Sequence, residues 1–225
     1  MSVTRVFSRG VVALAQVRNS MHYPQINEVR AYWEGLRCGQ TVPLRADVDP
    51  RGIEGALEHA FILERIAPRI ARFRVAGAHL NDLMGMEVRG MPLTSIFAPA
   101  TRVEMAPLIE QVFLTPAVAE FALRGEPGAG RPALVGSLVI LPLRSDLGDV
   151  SRALGCLVTR GPIGQTPRRF DVTGRRLVPL GHDMAMPAAS YPIDRQPGLA
   201  EAPEPFAARP AGTSRIPHLR LVKSD

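Results

Sequence analysis

Residues 71–90 constrain the fold more than any other stretch of this chain. Residues 71–75 alternate, with Arg72 and Arg74 on one side and Ala71, Phe73 and Val75 on the other. That pattern predicts a strand with one wet face and one buried face. Gly77 ends the strand. Leu80, Leu83 and Met84 then recur at helical spacing in a short helix stopped by Gly85, and residues 87–90 read as a turn.

The same reading extends outward from this segment. Ile26, Val29, Trp33 and Leu36 define an amphipathic helix over 25–38, stopped by Gly39, with Trp33 as its packing anchor. Asp47 and Asp49 invite a metal reading. Capping is the better account, because Asp49 precedes Pro50, which suits the first position of a helix. Ile53, Ala56, Leu57 and Ala60 supply that helix's buried stripe. Residues 61–66 form a strand, Pro68 turns the chain, and 70–76 return as its hairpin partner. Residues 92–97 give one more helical turn. Thr101-x-x-Glu104 is a capping-box pattern, opening a helix whose inner face is Met105, Leu108, Ile109 and Val112. Pro107 is expected to kink that helix or delay its start. Strands follow at 117–124, 134–143 and 152–160, separated by the Gly-rich loop 125–130 and a turn at 146–149. Two strands, a helical interval and three more strands predict an α+β fold: a five-stranded antiparallel sheet with its helices on one face.

Composition narrows the function. Apolar residues make up 46% of the chain and aromatic residues 5%, so the core is mainly aliphatic. The net charge of +6 points toward nucleic acid. However, the basic residues are arginines except for Lys223, and they are scattered without a block of like charge. A solvated basic surface is the simpler account. With its one lysine near the C-terminus, the folded part has no Walker-type phosphate loop, no kinase-type phosphate-binding lysine and no Schiff-base lysine. Gly-x-Ser-x-Gly, His-Glu-x-x-His and Gly-x-Gly-x-x-Gly are also missing. Glu54 and Glu58 share a helix face and read as solvated, and His182-Asp183 lies in the tail. These observations argue against an enzyme. Cys38 and Cys156 are far apart, which fits free thiols in a reducing cytoplasm. Residues 1–24 read as a disordered leader. Its apolar run at 11–15 is too short for a secretory or membrane segment, and Met21 is an alternative start. The last 65 residues hold 10 prolines and read as a mostly disordered Pro/Arg-rich tail over 161–225. Two islands interrupt it, 170–180 and 216–222, either docking motifs or strands and turns packed on the domain.

The order of these elements resembles a PAS domain over residues 25–160. The match is carried by 73–77, 80–90, and Leu141-Pro142-Leu143 running through a hairpin into 153–158. The flanking segments 32–37 and 46–50 resemble those of small, stand-alone bacterial PAS proteins of alphaproteobacterial type. The resemblance implies the strand order 2-1-5-4-3 and a cavity between sheet and helices. Its lining would come from Phe73, Val75, Leu83, Met84, Phe97, Met105, Ile109, Phe121, Leu138 and Ile140. It further implies a cytoplasmic sensory or regulatory protein without an effector domain of its own. Such a protein works through a small apolar ligand, a protein partner, a homodimer, or a combination of these. A ligand-free interaction scaffold is the alternative, and an Arg-rich nucleic-acid-associated protein ranks behind it. The Cys-adduct flavin chemistry of some PAS domains needs a cysteine in a short helix on the cavity wall, whereas Cys38 precedes the core and Cys156 falls on the last strand. Haem-binding relatives use a histidine on the long helix, and 95–125 contains none. His79 is the nearest histidine and reads as a surface or satisfied core residue.

Overall fold

A computed structural model describes residues 23–181. The chain separates into Met1–Met184 and Ala185–Asp225. The leader up to residue 22, the tail from 182 onward and the island at 216–222 lie outside the described residues.

Helix α1, Pro24–Arg37, opens the fold with a proline in its first turn and ends at Cys38, which adopts a left-handed conformation (φ 43°). A 3₁₀ segment, Pro50–His59, follows. Asp49 Oδ1 accepts from the Arg51 N–H at 2.9 Å, which is the expected cap. The segment is 3₁₀ and kinked at Ile53 instead of α-helical, and this rotates Leu57 off the buried stripe. Leu57 is 47% exposed, while Ile53 and Ala56 are buried. Strands β1 (Ala60–Ala67) and β2 (Ile70–Ala76) form the first hairpin. Then come α2 (Ala78–Met84), a 3₁₀ turn at Leu93–Ile96 and α3 (Pro99–Leu114). Strands β3 (Ala117–Gly125), β4 (Val135–Leu143), β5 (Arg152–Arg160) and β6 (Phe170–Pro179) complete the sheet.

The strand order is β2-β1-β5-β4-β3-β6, and all neighbours are antiparallel. The expected 2-1-5-4-3 order is present, with a sixth strand added beside β3. Residues 161–181 therefore belong to the folded domain, which extends past the boundary expected at 160. The island at 170–180 is a strand.

The helices occupy both faces of the sheet, not one. Strands β4 and β5 are buried on both sides, so successive residues feed two separate cores. Leu138, Ile140 and Leu157 join Phe73, Leu83 and Ile109 on the inner face, beneath α2 and α3. Val139, Leu141, Leu154 and Cys156 join Ile26, Val29 and Trp33 on the outer face, beneath α1. Trp33 is fully buried, and its indole N–H donates to the Pro142 carbonyl at 2.9 Å. The amphipathic pattern of α1 thus exists to cover the back of the sheet.

Helix α3 begins at Pro99 after Ala98, two residues before the expected capping box. Thr101 instead donates its hydroxyl to Asp171 at the start of β6, at 2.8 Å. Pro107 lies inside the helix without delaying its start. No helix among the described residues is long and apolar enough to cross a membrane.

Candidate functional site

The layer between the sheet and helices α2 and α3 is the candidate site. Phe73 reaches it from β2, Leu83 and Met84 from α2, and Phe97 from the end of the 3₁₀ turn. Met105 and Ile109 come from α3, Phe121 from β3, and Leu138 and Ile140 from β4. These nine side chains fall in one continuous apolar cluster, each at most 3% exposed. Phe61 meets Phe73 edge to face at 5.3 Å, closing one side of it.

Val75, the tenth expected lining residue, is 55% exposed. The cause is a β-bulge. Ile62 pairs with Val75 and Leu63 with Phe73, so Arg74 is the extra residue. One added residue inverts the alternation beyond it. Val75 therefore turns to the outer face, beside Ile62.

The rim of the layer carries its buried charge. Glu110, on α3, accepts from Arg65 Nε at 3.0 Å, Arg65 Nη2 at 2.6 Å and the Arg69 N–H at 2.9 Å. The Arg65 hydrogen bonds, aided by the Arg69 amide, hold its carboxyl below the usual range even though burial opposes ionisation. Glu64 lies on the other face of β1. Burial alone would raise its pKa, but hydrogen bonds from Arg74 and Arg152 outweigh that and lower it.

The residues relevant to a reactive cofactor lie outside this layer. Cys156 packs beneath α1 on the outer face, where burial pushes its thiol up to about 12. Cys38 is exposed at the end of α1. His79, at the start of α2, reaches Thr159 Oγ1 at 3.0 Å and stacks edge-on against His59 at 4.6 Å. Burial, and then repulsion from His59, lowers its pKa. Glu58 is exposed and pairs with His59 at 3.1 Å.

Two buried charged groups escaped the sequence reading. Glu110 sits next to Ile109 in an ordinary helical run, with nothing local to set it apart. Arg168 is fully buried. Its guanidinium donates to the Pro132 carbonyl at 2.9 Å and to the Ile163 carbonyl, pinning the segment before β6 against the β3–β4 loop. A Pro-rich, Gly-rich context hid it.

Six antiparallel strands, an apolar layer under short helices and a helical cover on the back define a PAS-type fold. The PAS domain family matches residues 21–158, and the chain belongs to it. Strand β6 and Arg168 lie beyond that match. No curated protein sequence matches the chain significantly. Among solved structures, the light state of the blue-light photoreceptor Aureochrome1 LOV is 11% identical, with a TM-score of 0.34, covering 49% of this chain and 88% of that one. Its dark state is 12% identical, with a TM-score of 0.36, covering 51% and 86%. An RNA-binding Light-Oxygen-Voltage receptor is 18% identical, with a TM-score of 0.34, covering 52% of this chain and 35% of that one. At these scores the three structures bear on neither ligand nor partner.

Proposed function

We propose that this protein is a sensory or regulatory module that acts by binding a small apolar ligand, a protein partner, or both, and that it is not an enzyme. The carrying observation is the PAS sheet with its uncharged inner layer, built from nine buried side chains on six different elements. A guest in that layer would meet apolar contacts alone, which suits recognition and offers no acid, base or nucleophile. The buried carboxylate at its rim, Glu110, is already tied to Arg65, which further supports a non-catalytic reading.

A second reading, a scaffold that takes no small molecule, is favoured by the same nine residues packing on one another. Native mass spectrometry with an absorption spectrum, on protein purified without refolding, separates the two. An added mass or chromophore makes this a ligand sensor. A bare mass, with a partner recovered in pull-downs, makes it a scaffold. Turnover of a substrate would overturn both.

A further inference from the structure

A groove opens on the outer face of the sheet, away from the inner layer. It lies where the 3₁₀ segment Pro50–His59 meets the β1–β2 hairpin, and its volume is about 340 Å³. That volume falls within the range of small-ligand sites. Ile53 and Leu57 line one wall; Ile62, Val75 and Ala76 line the other. Two of the features that build it departed from the sequence pattern. The 3₁₀ kink leaves Leu57 open to solvent, and the β2 bulge turns Val75 outward.

One charged side chain lines this groove, Arg45. It is half-buried, and its backbone N–H is held by the Arg144 carbonyl at 2.8 Å. Among the described residues its guanidinium has no ion pair and no hydrogen bond, and no carboxylate lines the groove. Several partly buried arginines elsewhere in the domain are engaged: Arg30 with Glu120, Arg65 with Glu110, Arg152 with Glu64, and Arg144 with the Val42 carbonyl; Arg131 and Arg169 are also partly buried, but neither lines the groove. Among the described residues Arg45 is therefore a cation without an anion, fixed through its backbone beside an aliphatic trough.

We propose that the groove binds an aliphatic monocarboxylate, with its chain along Ile53, Leu57 and Val75 and its carboxylate on Arg45. A planar guanidinium matches a carboxylate through two parallel hydrogen bonds, which a neutral head group does not reproduce. Each methylene buried in the trough strengthens binding roughly fourfold. This is a second site on the opposite side of the sheet, so it stands whether or not the inner layer holds a guest.

The test is a titration of the full chain with decanoate, followed by amide chemical shifts. Saturable shifts are expected at Leu57, Val75, Ala76 and Gly77. Arg45→Gln should weaken decanoate about tenfold, in keeping with loss of a charge-assisted hydrogen bond. Decanol, with a similar chain and no charge, should bind both proteins equally weakly. Val75→Glu, at an exposed position that leaves the fold intact, should abolish binding. Four results would each overturn the proposal: no shifts at millimolar decanoate, shifts confined to inner residues such as Leu83 and Met105, unchanged affinity in Arg45→Gln, or groove shifts that follow protein concentration without decanoate. The last would make the groove a face between two copies of the chain.

Discussion

Glu110 shows how much a single residue can matter at the rim of the inner layer. Its carboxylate ties α3 to β1 through Arg65 and to the β1–β2 turn through the Arg69 amide. Glu110→Gln removes the charge and leaves Arg65 without its partner, which should cost about 2 kcal/mol, the scale of a hydrogen bond to a charged group. Urea unfolding of the variant at neutral pH checks this. The acid response has a fixed sign. The folded pKa of Glu110 lies below the ordinary 4.5, so the folded chain binds fewer protons than the unfolded one. Its stabilisation is complete above 4.5 and is lost as pH falls through the depressed value. The gap between wild type and Glu110→Gln should therefore close in acid. His79 has the same sign at higher pH. Its pKa lies below the ordinary 6.5, with burial first and then His59 disfavouring the imidazolium, and Asp82 and Glu58 partly offsetting them. Its contribution is full above 6.5 and fades as pH falls through the lowered value. An NMR titration of its ring should give a midpoint below 6.5, and a midpoint at or above 6.5 would contradict the burial argument. Some residues of this kind were legible in the sequence. Trp33 and Asp49 do what their positions predicted, because helix periodicity and capping are local rules. Val75, Glu110 and Arg168 were not, because a bulge, an ion pair across 45 residues and a buried guanidinium are settled only in three dimensions.

Strands β1 to β5 were readable for a plain reason: most of each strand's pattern is set by burial on one face or on both. β6 is different. Phe170 is its one fully buried residue, and the rest of the strand is half-buried or exposed. An edge strand of that kind resembles a polar tail in sequence, so the domain boundary was expected too early. Its role is nonetheless structural. It pairs with β3 along the whole of that strand, from Ala117 with Pro179 to Gly125 with Phe170. A chain ending at Gly161 would lose this cover together with Arg168, leaving β3 as an open edge. Such a truncation should melt at a lower temperature and associate with itself, seen as concentration-dependent early elution in size-exclusion chromatography. A monomer of unchanged melting temperature would show that β6 is dispensable. The helices divide along the same line. The α1 pattern was legible as amphipathic, but which face of the sheet it covers was not. Its apolar stripe fits either side equally well, and the choice is made by the two-sided burial of β4 and β5.

At the scale of the whole domain, two cores share one sheet. β4 sends Leu138 and Ile140 inward and Val139 and Leu141 outward, and β5 alternates likewise through Leu154, Cys156 and Leu157. Neither layer can open without exposing the back of strands that the other layer needs, so the two should unfold together. Trp33, the chain's one tryptophan, sits in the outer layer and gives a direct probe of it. Its emission should shift to the red in a single transition whose midpoint in urea coincides with loss of far-UV circular dichroism. An earlier shift of Trp33 emission, with the strand signal still intact, would mean that α1 peels away by itself. The outer layer would then be a detachable cover over β4 and β5, and a partner that competes for those strands could act by displacing α1. Coincident transitions would tie α1 to the domain and leave the groove at Leu57 and Val75 as the exposed apolar feature of that face.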